Sequence, residues 1–415
     1  MFVSGIYEEE KEPILKEDKL LKKLHFPPIF VIPSWLRDIS PNSFTPRVVS
    51  IGPLHREHTH LKSMEKKKDK YMRKLLVERD TYNDCFKTVR NKIEAIKSCY
   101  SGMKEEIYNN DDKLVEMIVT DTCFILRFIY KLAKSGDIPS EKRIRRRSIA
   151  LDLVLLENQI PFFVLQDIYD IIFKKKSTVT TPDLKTMLCG LLQQVNPFKK
   201  ELNVENLSSV TSSPFHIVGL LHEFYQPGYK LSKISYIPKA HTAVKLHEVG
   251  VRFKPNQMLK WPMAMEFESS PLNPTIKMPE VVIDNHFEVV MRNLVVYEQC
   301  SPVESYVTSY VKAMNMLAAT PKDIATLVES DVLTSHLGPN ETASNIRNIC
   351  KDVTFLDFYY MDVWEKAKKH YDSYWSRNLG VLKRKYFDTP WKAIALFVGF
   401  IGFISLVAGF TFRKP

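Results

Sequence analysis

Four groups of side chains in this sequence have the types and spacing to do chemistry. Glu157-Asn158-Gln159 stands between two apolar blocks, and Asp121 stands within another. An acid in apolar surroundings can act as a general acid or base, because burial disfavours its charged form and lifts its pKa toward neutrality. His55, His58 and His60, with Glu57 among them, offer metal-ligand donor types. Lys142-Arg143-Ile144-Arg145-Arg146-Arg147 is the sharpest charge run and has the composition of a nuclear import signal or a nucleic-acid arm.

Each group has a plainer reading, and the plainer one is stronger. No nucleophile or metal-ligand cluster lies near Glu157, so the triplet reads as a hydrogen-bonded polar knot in a core. Asp121 shares a helix face with Met117, Phe124, Ile125 and Phe128, and needs a structural partner there. The H-x-x-H-x-H spacing matches no common zinc pattern and reads as a solvated loop. The basic run lacks interleaved aromatics and reads as a solvated linker. No G-x-S-x-G, H-E-x-x-H, P-loop or paired-cysteine motif is present. No catalytic residue is assigned, and neither a metal nor a cofactor is expected.

The elements that position these groups follow from periodicity. The block from Ala150 to Leu156 is too apolar all round for a surface helix and reads as buried. Pro161 lacks an amide hydrogen and disfavours helix before it, so one helix should end near Gln159. A second should begin with Pro161 in its first turn and run to about Phe173. Residues 29–33 and 44–53 read as extended pieces with turns. Leu61, Met64, Tyr71, Met72, Leu75 and Leu76 form the apolar face of a very basic helix, with Lys66, Lys67 and Lys68 assigned to its polar face. That basic face has the character of a surface for anionic lipid, with simple solvation the stronger reading. Residues 114–132 read as a buried helix, and Ser213-Pro214 as the cap of a short helix to about Phe224. Three short segments near 251–253, 263–267 and 275–278, with 281–283 beyond, read as an antiparallel β-meander.

The fold class is therefore mainly α: a multi-helix globular body with a small antiparallel β-meander and a C-terminal transmembrane helix. The chain has 415 residues, 45% of them hydrophobic, enough for one large core or two packed lobes. The expected organisation is a loose segment 1–27, a helical body 28–386 with sub-lobes 28–235 and 236–386, and an anchor 387–415. A net charge of +11 suits nucleic acid, anionic lipid or simple solubility. Six dispersed cysteines read as reduced thiols.

The anchor expectation rests on an uncharged apolar stretch from about 394 to 412, with Ile394, Phe397, Phe400, Phe403, Phe410 and Phe412 within it and Trp391 before it. Such a stretch matches a bilayer core of roughly 30 Å. Met1-Phe2-Val3-Ser4-Gly5-Ile6 does not read as a signal peptide. Together these imply a tail-anchored, single-pass protein of the plasma membrane or endomembranes, with its body in the cytosol and the bilayer as a partner through the C-terminal helix. Protein partners are expected, and nucleic acid is not.

The segment Leu155-Leu156-Glu157-Asn158-Gln159-Ile160-Pro161-Phe162-Phe163-Val164-Leu165 closely resembles the signature of the plant-specific domain of unknown function 247 family, also called uncharacterised protein family 0481. Looser resemblances follow in order at Gly52-Pro53 with His55, at Asp121-Thr122-Cys123-Phe124, at Gly250-Val251-Arg252-Phe253 and at Asn293 to Cys300. Thr122 stands where the family usually has glycine. The resemblance implies a plant protein and no particular reaction. Some relatives are linked to self-incompatibility in grasses, which implies a recognition or signalling role. Against that role stand an enzyme working around Glu157 or Asp121, and a nuclear protein using Lys142 to Arg147.

Overall fold

The computed structural model describes residues 28–134, 140–174, 182–207, 213–236, 238–239, 241–256, 261–270, 273–355, 357–373, 394, 398–399 and 401–405. The chain first runs as an irregular strap, residues 29–56, over the helices that follow. The strap begins with a backbone ladder, Ile29 N–H to Cys99 O at 3.0 Å and Ser101 N–H to Ile29 O at 2.9 Å. It contains one short α-helix, α1 (Ser34–Arg37), and a 3-10 turn at Pro41–Ser43. The basic helix α2 (Lys62–Leu75) then packs on α3 (Asp111–Lys134), the longest helix described. Helix α3 starts with Asp111 and Asp112 and ends with Lys131 and Lys134, which complements its dipole at both ends. Its middle turns are buried all round, as residues 114–132 predict.

The basic run is helical, in α4 (Ser140–Asp152), and not a linker. Helix α4 stops at Asp152, well short of the predicted Gln159, and α5 (Phe162–Tyr169) follows with a π-turn at Asp170–Lys174. Pro161 is the N-cap residue of α5. The early stop has a local cause. Side-chain amides replace the backbone donors: Asn158 Nδ2 donates to Asp152 O, and Gln159 Nε2 donates to Leu153 O and Leu155 O, each at 2.8 Å. Helix α6 (Ile217–Phe224) is capped by His216, whose Nδ1 accepts from Gly219 N–H at 3.0 Å, and not by Ser213. Helices α7 (Phe287–Cys300) and α8 (Tyr306–Leu317) complete the frame used below.

The β element differs from a meander. Strands β1 (Arg252–Pro255), β2 (Glu266–Glu268) and β3 (Thr275–Met278) form a mixed sheet with β3 in the middle, parallel to β1 and antiparallel to β2. Burial explains the order. Thr275, Ile276 and Met278 of β3 are buried, whereas β1 and β2 expose Arg252, Lys254, Glu266 and Glu268 and make charged edges. Phe253 and Phe267 flank Ile276 in register as one apolar row. Strand β4 (Val281–Ile283) pairs in parallel with β5 (Leu333–Ser335) in a separate sheet. One contiguous buried cluster includes Ile29 at one end of the sequence and Ala367 at the other. Cys85, Cys99 and Cys123 are buried, Cys189, Cys300 and Cys350 half-buried, and all six are free thiols.

The single-pass membrane expectation is corrected. Among the described residues no helix is long and apolar enough to cross a membrane. In the stretch expected to span, the described helical positions are 394, 398–399 and 401–405; Ile394 and Phe403 are exposed there. Trp391, Phe397, Phe400, Phe410 and Phe412 lie outside the described residues. An uncharged composition sets only what a segment tolerates; a span needs about 20 consecutive apolar residues in one helix, and no described helix supplies them. The C-terminal transmembrane helix and the tail-anchored, single-pass localisation are therefore not supported.

Candidate functional site

The polar triplet at the α4–α5 joint is the centre of a knot that binds the strap to the body. Glu157, Asn158 and Gln159 are buried, together with Asp152. Asp152 accepts three consecutive amides, from Arg47 at 2.9 Å, Val48 at 2.7 Å and Val49 at 2.9 Å. Burial pushes its carboxyl up, and these three amides offset part of the rise. Asn158 takes the next turn of the strap, accepting from Ile51 N–H at 2.6 Å and donating to Val49 O at 3.0 Å. Gln159 Oε1 accepts from Ile217 N–H at 3.0 Å and ties in α6. Asn293 of α7 closes the far side, accepting from Leu156 N–H at 2.8 Å and donating to Ser43 O at 2.7 Å.

Glu157 holds the earlier part of the strap. Its Oε1 accepts from Ile32 N–H at 2.5 Å and from Arg37, and its Oε2 lies 2.8 Å from His55 Nε2. The His55 contact has ion-pair range but lacks straight hydrogen-bond alignment, and His55 Nδ1 has no hydrogen-bond partner among the described residues. Burial pushes the Glu157 carboxyl up, but His55, Arg37 and the Ile32 amide outweigh it and hold the group below the ordinary glutamate value. His55 is buried, so the loop reading of the three histidines holds only in part. His58 stacks edge-on against His55 at 4.9 Å, and Glu57 pairs with Lys104 away from them. No group of three ligand-type side chains among the described residues could hold a metal ion.

Asp121 forms a second anchor directly beneath the same strap. Its carboxylate accepts from Gly52 N–H at 2.8 Å and pairs with Lys68 Nζ at 2.6 Å and Arg56 at 3.3 Å. Glu65 bridges Arg56 and Lys68 at 2.5 and 2.8 Å. The successive amides of Ile51 and Gly52 thus go to Asn158 and Asp121 in turn. Gly52 has φ +70°, and a Cβ there would lie 2.6 Å from Gln159 O, so both conformation and space require glycine. Tyr100 donates to that same Gln159 carbonyl at 3.0 Å. Thr122, beside Asp121, spends its hydroxyl on Ile118 O at 2.7 Å within α3.

The two acids singled out by sequence therefore act on one piece of chain. Neither faces a nucleophile; both spend their oxygens on backbone amides and cations. Sequence reasoning missed Asp152, Lys68, Arg37, His55 and Asn293 as members. It also missed His216, whose Nε2 lies 3.2 Å from Pro28 O at the head of the strap, and whose pKa burial pushes down to about 4. The spacing of Met64, Lys68 and Met72 was a usable signal, since residues four apart share a helix face.

The family can now be tested on the whole chain. A family model described as "Plant protein of unknown function" (DUF247) matches residues 29–405. The chain belongs to the DUF247 family. It is similar to a UPF0481 protein of Arabidopsis thaliana, 29% identical over 427 residues that cover 93% of this chain and 85% of the relative. A putative UPF0481 protein of the same plant is 24% identical over 88% of this chain and 86% of its own length. No solved structure matches. The DUF247 match begins at Ile29, the residue at which the strap's first backbone ladder forms.

A second buried cluster lies between α6, α7 and α8. Glu298 accepts from His222 Nε2 at 2.9 Å, from Val307 and Thr308 N–H at 2.7 Å each, and from the Thr308 hydroxyl at 2.6 Å, so it caps α8 from a distance. Beside it, Glu223 Oε2 is buried with no hydrogen-bond partner among the described residues, and burial pushes this carboxyl up to about 7 despite Lys185 and His222 nearby. A carboxyl raised on folding binds its proton more tightly in the native state, so stability falls as pH rises from about 4.5 to about 7. Glu223→Gln should therefore stabilise the protein by about 1–2 kcal/mol at pH 8, after allowance for solvent screening, and give little or no gain at pH 4. Urea unfolding at both pH values checks this; an equal gain at both would mean that ionisation of Glu223 is not the cause.

Proposed function

We propose that this DUF247 protein is a protein-interaction component and not an enzyme. The observation that carries the reading is the use of its buried acids. Asp121, Asp152, Glu157 and Glu298 each aim their oxygens at backbone amides, so the groups best placed for acid–base chemistry are committed to holding the chain. What Asp121, Asp152 and Glu157 hold is a strap that carries exposed apolar side chains: Val31 is 49% and Trp35 55% exposed, on either side of the buried Ile32. A large aromatic on a pre-ordered element suits a binding anchor, because little side-chain or backbone entropy remains to be lost on docking.

The test compares full-length protein with Trp35→Ser. Proteins retained from plant extract should include at least one that the variant holds about tenfold less, a loss of about 1.4 kcal/mol. Both forms should melt together, since Trp35 is largely outside the core. If the variant retains the same proteins in the same amounts, the strap is not the contact surface and the proposal fails.

A further inference from the structure

Helix formation divides the basic run that begins at Lys142 among several destinations. Arg147 turns to Asp284 at 2.6 Å. Arg145 and Arg146 instead line a cavity of about 390 Å³ between α2, α3 and α4. Its floor is aromatic. Tyr71 stacks on Phe124 with centroids 5.6 Å apart and planes 15° apart, and Phe124 stacks on Phe128 at 6.2 Å and 12°. Its rim carries Lys67 and Lys131 in addition to the two arginines, and none of the lining residues is acidic. Lys131 Nζ lies 4.5 Å from the centre of the Tyr71 ring. Arg145 reaches Met64 Sδ at 3.3 Å, a soft and uncharged acceptor. Among the described residues, Lys67, Lys131 and Arg145 have no carboxylate partner. A second opening of about 510 Å³ shares Met64 and Arg145 with the first and adds Arg47 and His60, so the positive lining continues beyond it.

We propose that this cavity is a binding site for a small organic anion with a flat, apolar body and one carboxylate. By contrast the buried Lys68, the residue next to Lys67, is closed onto Asp121 and Glu65. At the cavity Lys67, Lys131 and Arg145 line an apolar floor and repel one another, and a ligand carboxylate relieves that repulsion. The guanidinium of Arg145 can take a carboxylate through two parallel hydrogen bonds. The stacked rings offer a face to a flat apolar body, and the volume falls within the usual range for small-molecule sites. The occupant is thus defined by two halves that must be joined: an acid for the rim and a ring for the floor.

The experiment titrates the full chain by calorimetry with 2-naphthoate, and separately with its uncharged amide, 2-naphthamide, and with acetate. The expected result is saturable binding of 2-naphthoate with a Kd of about 10–100 μM, and at least about tenfold weaker binding of either half. Lys131→Met with Arg145→Met, both exposed side chains, should weaken 2-naphthoate about tenfold or more at an unchanged melting temperature. Lys322→Met, exposed on the unrelated helix Pro321–Glu329, should leave it unchanged. Equal binding of 2-naphthamide would show a merely greasy surface, and equal binding of acetate a merely cationic one; either overturns the proposal. Absence of 2-naphthoate binding by the wild-type chain, or full binding by the double variant, overturns it as well.

Discussion

Lys68→Met should destabilise the protein by about 3 kcal/mol or more, because it leaves the Asp121 carboxylate in the core without its principal cation. Both side chains of this pair are fully buried. Arg56 at 3.3 Å and the Gly52 amide at 2.8 Å remain to Asp121, which places the loss at the lower end of the range for broken buried pairs. Asp121→Asn should cost a similar amount by leaving the Lys68 ammonium with Glu65 alone. The combined Lys68→Met/Asp121→Asn variant removes both charges at once and should lose clearly less than the sum of the two. Urea unfolding of all four forms gives the coupling directly, with at least about 1 kcal/mol expected for residues in contact. Strictly additive losses would mean that the 2.6 Å contact does not bear on stability.

The second large effect is expected at Asn158. Its side chain accepts from the Ile51 amide and donates to Val49 O and Asp152 O, all within the core. Asn158→Ala leaves a buried N–H and two buried carbonyls without these partners and opens a small void. At about 1–3 kcal/mol for each unsatisfied buried group, a total loss of about 3–5 kcal/mol is expected. Asn158→Asp should fare no better, since it keeps the acceptor but removes both donors and buries a charge. The local signature separates this from general weakening. Amide exchange should accelerate first at residues 47–52, and proteolysis should begin within the strap before the helices are cut. Uniform acceleration across α3 and α7 as well would show that Asn158 does not specifically hold the strap.

Much of this arrangement could be read in the sequence wherever the cause is local. Apolar spacing placed the long buried helix, and Pro161 together with a polar triplet marked a joint whose side chains satisfy freed backbone groups. The demand that Asp121 find a partner followed from its apolar neighbours. The partner itself lay outside that reasoning, because Lys68 was grouped with Lys66 and Lys67 as one solvated block, although its spacing from Met64 and Met72 puts it on the inner face. The clasp of Asp152 on Arg47, Val48 and Val49 joins positions more than 100 residues apart, a relation no periodicity encodes. The three-stranded sheet kept its segments but not its order, since the central place went to the most buried strand and not to the middle one in sequence. An uncharged run near the C-terminus suggested a membrane span that the described helices do not support.

The strap also constrains when the molecule can be completed. Its first residues leave the ribosome early, yet their partners arrive late: Ile32 waits for Glu157, 125 residues on, and Ser43 waits for Asn293, 250 residues on. Closing loops of that length is slow relative to forming local helices. The strap from Ile32 to Ile51 therefore stays undocked at least until residues 152–158 have been made, with the apolar side chains of Ile32, Val49 and Ile51 uncovered until then. The strap is closed only when Asn293 reaches Ser43, so a nascent chain halted before residue 293 would keep that clasp open and be a natural client for chaperones.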